Sequence, residues 1–175
     1  LWVTGLAGAG KTTLSRAVVD RWRRQRAPVV LLDGDEMRPV LGPELGYSEA
    51  DRREISRRYS RLCRLISSQG VDVVCATISM FHEIRDWNRE NISRYMEIYL
   101  KVPMEILRSR NQKNLYGETG GSEVVGHGIA LEEPRHPDII LLNDGSQAVD
   151  ELVEHVLSLI DSIHHRRSTS GRADS

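Results

Sequence analysis

Apolar positions along this chain come in short, nearly continuous runs separated by longer stretches in which they recur at helical spacing. The runs are "LWVT" (1–4), "PVVLLDGD" (28–35), "VDVVCATIS" (71–79), "MEIYLKV" (96–102) and "DIILLND" (138–144). Between the first two, "KTTLSRAVVDRWRRQR" places Leu14, Val18 and Trp22 on one helical face. "SEADRREISRRYSRLCRLISSQG" predicts a helix with Ser48 as N-cap and Gly70 as its stop. "EIRDWNRENISRY" reads as a further helix, "PMEILRSR" opens another with Pro103 in its first turn, and "SQAVDELVEHVLSLIDSIHH" closes the chain amphipathically. Strands that are apolar along their whole length and alternate with helices imply an α/β fold with a five-stranded parallel sheet covered on both faces. Right-handed crossovers then bring every strand's carboxyl end to one edge, where Gly5, Asp33, Asp35 and Ser79 converge on one crevice.

Two stretches break the pattern. The piece after Asp35 carries Pro39, Gly42, Pro43 and Gly46 and reads as irregular. From 111 to 137 periodicity fails among Gly117, Gly120, Gly121, Gly126 and Gly128, as expected of a flexible lid. The tail "RRSTSGRADS" (166–175) has the composition of a disordered segment, which leaves 1–165 as a single domain.

Composition removes some partners. With 28% charged residues, a formal net charge of -1 and a pI near 6.7, the chain has no global positive field to hold nucleic acid or an anionic membrane. No apolar run approaches the roughly 18 residues that cross a bilayer, and no charged-then-apolar leader precedes the first motif. Cys63 and Cys75 lack metal-ligand spacing and read as reduced core residues of a cytoplasmic protein.

The strongest chemical signal is "GLAGAGKT", Gly5 to Thr12, a full match to G-x-x-x-x-G-K-[ST] with a strand before it and a helix after it. Gly5, Gly8 and Gly10 let backbone N–H groups turn inward on an anion, and the following helix adds its positive end. Gly5, Ala7, Gly8, Ala9, Gly10, Lys11, Thr12 and Thr13 are therefore the expected ATP cradle. Lys11 would reach the β- and γ-phosphates, and the Thr12 hydroxyl would ligate Mg²⁺. This predicts a three-layer α/β/α P-loop NTPase fold. The late Gly-rich segment and "DGDEMR" after the second run are kinase parts rather than those of a partner-regulated hydrolase, because a lid keeps water from the nucleotide.

Taken in order, "GLAGAGKTT", "LLDGDEMR", "LGYSEADRREISRR", "VVCATIS", "VPMEILRSRNQKNLY" and "HPDIILLND" resemble the adenylylsulfate (APS) kinase family over nearly all of residues 1–144. The resemblance implies transfer of the ATP γ-phosphoryl group to the 3'-hydroxyl of adenylylsulfate, with a homodimer in accord with it. It places Asp33 and Asp35 where the family orients the acceptor hydroxyl and organises Mg²⁺, so Asp33 joins Thr12 as a metal ligand and Asp35 is the choice for base. Arg38 and Arg52 would contact the acceptor's phosphate, and Tyr47 would stack on its base. Ile78 and Ser79 at the end of the third run, and Phe81 and His82 just after it, would lie on the acceptor side. Arg110 and Lys113 would touch the nucleotide and the transition state. Against these roles, Asp33 or Asp35 could simply cap the next segment, and Arg57 and Arg58 read as a solvated helix face.

The acceptor half departs from the family's pattern. The Asn-Ile pair that usually follows the Asp-Arg segment is Ile55-Ser56, and the lid Phe that closes over the acceptor adenine is Val124. An Arg after the third strand is replaced by His82, followed by Glu83. Aromatic stacking on a base is worth about 1–3 kcal/mol, so its loss weakens a purine acceptor by roughly tenfold to a hundredfold. His82, and His127 in the lid, are candidate ligands for a different acceptor. The expectation is an ATP- and Mg²⁺-dependent kinase acting on a small nucleotide derivative, amine or hydroxyl metabolite other than adenylylsulfate. A genuine adenylylsulfate kinase and a partner-regulated hydrolase stand as alternatives.

Overall fold

The computed structural model describes residues 1–25, 27–110 and 132–170. Strands β1 (Trp2–Thr4), β2 (Val29–Asp33), β3 (Asp72–Ala76), β4 (Glu97–Lys101) and β5 (Ile139–Leu142) form one sheet in the order β2-β3-β1-β4-β5. Every neighbouring pair runs parallel. The helices are α1 (Lys11–Arg24), α2 (Gly34–Leu41), α3 (Glu49–Ser67), α4 (His82–Asn91), α5 (Met104–Arg110) and α6 (Val149–Ser170). Helix α1 lies on β1, β2 and β3 and packs on α6, while α3 lies on β3 and packs on α4. The expected three-layer α/β/α P-loop arrangement is therefore the one that forms. The chain passes from β1 over β3 to β2, and later from β3 over β1 to β4, so a crevice opens at the carboxyl ends of these central strands.

Several boundaries differ from the sequence expectation for identifiable reasons. The stretch after Asp33 is not irregular: it is helix α2, with Pro39 inside it. The Asp33 carboxylate caps the helix by accepting from Asp35 N at 2.9 Å, Met37 buries one side, and Gly42 ends it. In so short a helix Pro39 removes a single backbone bond, and the cap and the buried Met37 outweigh that loss. Strand β3 stops at Ala76, and residues 77–81 leave the sheet to line the crevice. Helix α4 begins at His82, which the sequence placed in a loop, and ends at Asn91, ahead of Arg94 at φ 61°. Helix α6 continues to Ser170, into the expected disordered tail, because no glycine or proline interrupts it before Gly171. Most of the lid lies outside the described residues, as do 171–175.

The core holds one feature no apolar pattern announces. Arg85 on α4 and Glu97 on β4 are 3% and 2% exposed and approach at 3.2 Å. Arg89 bridges Glu97 at 3.0 Å and Asp138 at 3.3 Å, and Asp138 also accepts from Glu97 N at 2.8 Å. Burial pushes the Glu97 carboxyl up against the opposing pull of Arg85 and Arg89. Breaking such a pair strands a charge in the interior, so the two groups hold α4 and β4 in one register. Cys63 and Cys75 are free and buried, as expected. Among the described residues no helix is long and apolar enough to cross a membrane.

Candidate active site

Strand β1 delivers the chain into the glycine loop, and Thr4 Oγ1 ties its exit to the crevice by donating to the Ile78 carbonyl at 2.7 Å. A side chain at Gly5 would stand 2.5 Å from the Leu100 carbonyl oxygen. Gly10, at φ 94°, occupies the left-handed region, and a Cβ there would meet Asn143 Nδ2 at 2.9 Å. That amide in turn donates to the Ala9 carbonyl at 2.9 Å, so the end of β5 braces the loop. Ala9 is buried beneath the loop, while Ala7, Gly8, Gly10, Lys11, Thr12 and Thr13 line the crevice. Lys11 Nζ donates to the Leu6 carbonyl at 2.8 Å. The loop thus brings a helix N-terminus and an ammonium to one concave surface, a donor set that suits a triphosphate, whereas the N–H of Ala9, a residue of the expected cradle, is taken by the Leu6 carbonyl at 3.2 Å.

Asp33, 5% exposed at the end of β2, does two things at once. Its Oδ2 accepts from Thr12 Oγ1 at 2.6 Å, and its Oδ1 caps α2. Hydroxyl and carboxylate oxygens this close form the hard-oxygen pair that Mg²⁺ uses when phosphates complete its shell. Among the described residues no group of three His, Cys, Asp or Glu side chains could hold a metal by itself. Asp35 is exposed in the first turn of α2 and faces the same crevice.

The crevice encloses about 930 Å³, within the size of small-ligand sites. One wall comes from α2, α3 and their connection. There the Arg38 guanidinium lies 4.3 Å and that of Arg52 5.3 Å from the centre of the Tyr47 ring. Arg38 Nη2 donates to the Gly46 carbonyl, and Arg52 Nε to the Tyr47 carbonyl at 2.9 Å. Two cations and an exposed aromatic ring thereby meet at one lip, an arrangement with the chemistry to take an anionic group attached to a planar base. Ile55, Ser56 and Tyr59 continue this wall inward. Ser56 Oγ is turned back on the Arg52 carbonyl at 2.7 Å, and Tyr59 OH on that of Gly34 at 2.9 Å. Burial raises the Tyr59 phenol well above its ordinary range. The facing wall is Ile78, Ser79, Met80 and Phe81, with Ser79 Oγ buried and lacking a hydrogen-bond partner among the described residues.

His82 does not line the crevice. Its Nδ1 sits 2.8 Å from Arg85 Nη2, and burial, then Arg85 and Arg135, lower its pKa. Arg110 flanks the glycine loop, with Nη1 3.5 Å from the Gly8 carbonyl and Nη2 3.4 Å from that of Asn143. Lys113, Val124 and His127 lie outside the described residues. Arg57 and Arg58, expected on a solvated face, are engaged in ion pairs: Arg57 with Glu83 at 3.0 Å, and Arg58 with Glu44 and Glu54. Sequence reasoning passed over Arg53, Glu132 and Asn143. Only the carboxamide of Asn143, directly after a strand on the crevice edge, carried any local signal.

A profile of the adenylylsulphate kinase family matches residues 1–142. The cytidine diphosphoramidate kinase of Campylobacter jejuni is 35% identical over 90% of this chain and 93% of its own length. The adenylyl-sulfate kinase of Gloeothece citriformis is 34% identical over 95% of this chain and 96% of its own. Among solved structures, the APS kinase of Mycobacterium tuberculosis in complex with AMPPNP and APS superposes with a TM-score of 0.81 at 29% identity, covering 91% of this chain and 95% of that one. The relatives are kinases by name and the family profile spans most of the chain, so this protein is a kinase belonging to the adenylylsulfate kinase family.

Proposed function

We propose that the protein transfers the γ-phosphoryl group of ATP to a nucleotide derivative other than adenylylsulfate, with cytidine diphosphoramidate as the leading candidate. The observation that carries this is the inner acceptor wall. Ile55 is 3% exposed on the crevice where the family's pattern has an amide, and the Ser56 hydroxyl is spent on its own helix. A base that used that amide would leave its polar edge against a methyl group, at a cost of about 1–3 kcal/mol. The relative named for cytidine diphosphoramidate matches as well as those named for adenylylsulfate, which agrees with a redirected acceptor.

In this reading the glycine loop and Lys11 hold the triphosphate, Thr12 and Asp33 hold Mg²⁺, and Arg110 lies beside the nucleotide. Mg²⁺ neutralises charge on the β- and γ-phosphate oxygens when bound. Arg38 and Arg52 fix the acceptor's phosphate and Tyr47 its base, while Ile78, Ser79 and Phe81 form the far side. Asp35 receives the proton of the attacking hydroxyl as the new O–P bond forms and ADP departs. His82 acts behind this surface rather than as a ligand.

ADP release measured with Mg²⁺ and ATP against adenylylsulfate, cytidine diphosphoramidate, simple adenine and cytidine nucleotides, and small amines tests the reading. The expected result is a kcat/KM for cytidine diphosphoramidate above that for adenylylsulfate by about tenfold or more, the worth of one unpaired polar edge. Efficient turnover of adenylylsulfate at low concentration would instead make the protein an adenylylsulfate kinase. ATP hydrolysis unaffected by any acceptor would make it a hydrolase.

A further inference from the structure

The first residue of α4 needs a cap that its own N-cap residue cannot give. Phe81 stands at that position with an apolar side chain, which leaves orphan backbone N–H groups beside the acceptor crevice. The missing acceptor arrives from far along the chain: a Glu132 carboxylate oxygen accepts from His82 N. The other Glu132 oxygen accepts from Arg53 Nη2 at 2.9 Å, and the Glu132 carbonyl accepts from the buried Arg85 at 2.6 Å. Burial works to raise the Glu132 carboxyl, but the His82 amide and the Arg53 guanidinium outweigh it and hold its pKa low.

Arg53 is the other half of this arrangement. Its guanidinium lies 4.3 Å from the centre of the Phe81 ring, on α3, next to Arg52 of the cationic lip. Glu49 at 2.8 Å, Glu83 at 3.3 Å and Glu132 at 2.9 Å surround it. Three carboxylates compensate the charge of this guanidinium and direct its donors toward Glu49, Glu83 and Glu132. Arg53 thereby joins the two walls of the crevice, α3 on one side and the Ile78–Phe81 segment with α4 on the other. Arg57, paired with Glu83 at 3.0 Å, repeats the same link one turn further along α3.

We propose that Arg53 and Glu132 form a clamp that sets the width of the acceptor crevice by locking the Phe81 wall to α3, and that they are positioning residues for acceptor affinity rather than for phosphoryl transfer. The clamp rests on the functional reading above only in naming the ligand as the nucleotide acceptor. The ATP cradle shares none of these contacts, so its affinity is independent of them.

The test uses the full chain with Glu132→Gln, which keeps an oxygen for His82 N but loses the charge facing Arg53, and Arg53→Met, which keeps the stem over Phe81 and loses the guanidinium. Steady-state kinetics with cytidine diphosphoramidate and with adenylylsulfate should show acceptor KM raised by roughly tenfold to a hundredfold, the worth of a charge-assisted hydrogen bond. KM for ATP and kcat at saturating acceptor should stay within about twofold, the scatter of independent sites. The double variant should lose no more than the worse single one, because both remove the same link. In parallel, amide hydrogen exchange of His82–Arg85 should accelerate in Glu132→Gln while exchange in β1 and α1 does not. Acceptor KM within about twofold of wild type, together with unchanged exchange at His82–Arg85, overturns the clamp. If the wild-type protein turns over neither acceptor, the functional reading fails, and the exchange measurement alone decides the clamp.

Discussion

Asp33 carries two tasks that one substitution separates. Its Oδ1 caps α2 and its Oδ2 takes the Thr12 hydroxyl bond, on a side chain only 5% exposed. Asp33→Asn retains a carbonyl oxygen for Asp35 N, and Asn caps helices about as well as Asp, so α2 loses a few tenths of a kcal/mol. Exchanging the charge-assisted Thr12 contact for a neutral one costs about 1 kcal/mol more. For a chain of this size that lowers Tm by about 2–4 °C. On the proposed function the chemistry should suffer far more, because Asp33 would be the carboxylate that holds Mg²⁺, and a bound metal ion supplies several kcal/mol of transition-state stabilisation. A loss of about 4 kcal/mol corresponds to a kcat reduction of roughly a thousandfold. Asp33→Ala should show the same catalytic loss and a further cap penalty of about 0.5–2 kcal/mol. Coupled ADP-release assays over a Mg²⁺ titration, with calorimetric melts of both variants, read the two effects apart. Asp33→Asn that turns over within about tenfold of wild type, yet melts more than about 8 °C lower, would show Asp33 to be a structural cap and refute its metal role.

Two other substitutions probe neighbouring parts of the argument. Gly10→Ala places a methyl 2.9 Å from Asn143 Nδ2 at φ 94°, so urea denaturation should show a loss of about 1–2 kcal/mol or more, and calorimetry a weakened ATP affinity. His82, lowered from its ordinary 6.5 by burial, Arg85 and Arg135, takes up its proton in the unfolded chain before the folded one. Its contribution to stability is therefore complete above that value and declines as pH falls below it. Unfolding free energies at successive pH values should fall more steeply in wild type than in His82→Gln over that window, and parallel curves would contradict the direction of the shift.

The glycine loop was legible because its whole instruction is contiguous: strand, Gly5 to Thr12, helix, each backbone angle encoded by the residue that adopts it. Asp33 and Asp35 were legible as a pair at a strand end, but the sequence left open whether Asp33 caps or binds, and the structure has it capping while it also bonds Thr12. Helix α2 was hidden by Pro39, which signals a break until the cap and the buried Met37 are seen to outweigh it. Arg38, Tyr47 and Arg52, singled out in the sequence, meet at one lip of the crevice, yet His82 faces Arg85 rather than the crevice, because helix α4 starts one residue earlier than its sequence suggests and turns the imidazole toward the helix's own next turn.

By itself the sequence determined the order of the five strands and of every helix but α2, the phosphate loop and the membership of a kinase family, since local periodicity and contiguous motifs encode backbone conformation and which faces are buried. Tertiary structure alone decided that Arg85 would meet Glu97 in the interior, that Asn143 would brace the loop, and that Glu132 would cap a helix and hold Arg53 across the crevice. Partners such as Arg53 and Glu132, 79 residues apart, share no local pattern, because an ion pair or a long-range cap carries no period along the chain and exists only once the sheet has brought its ends together.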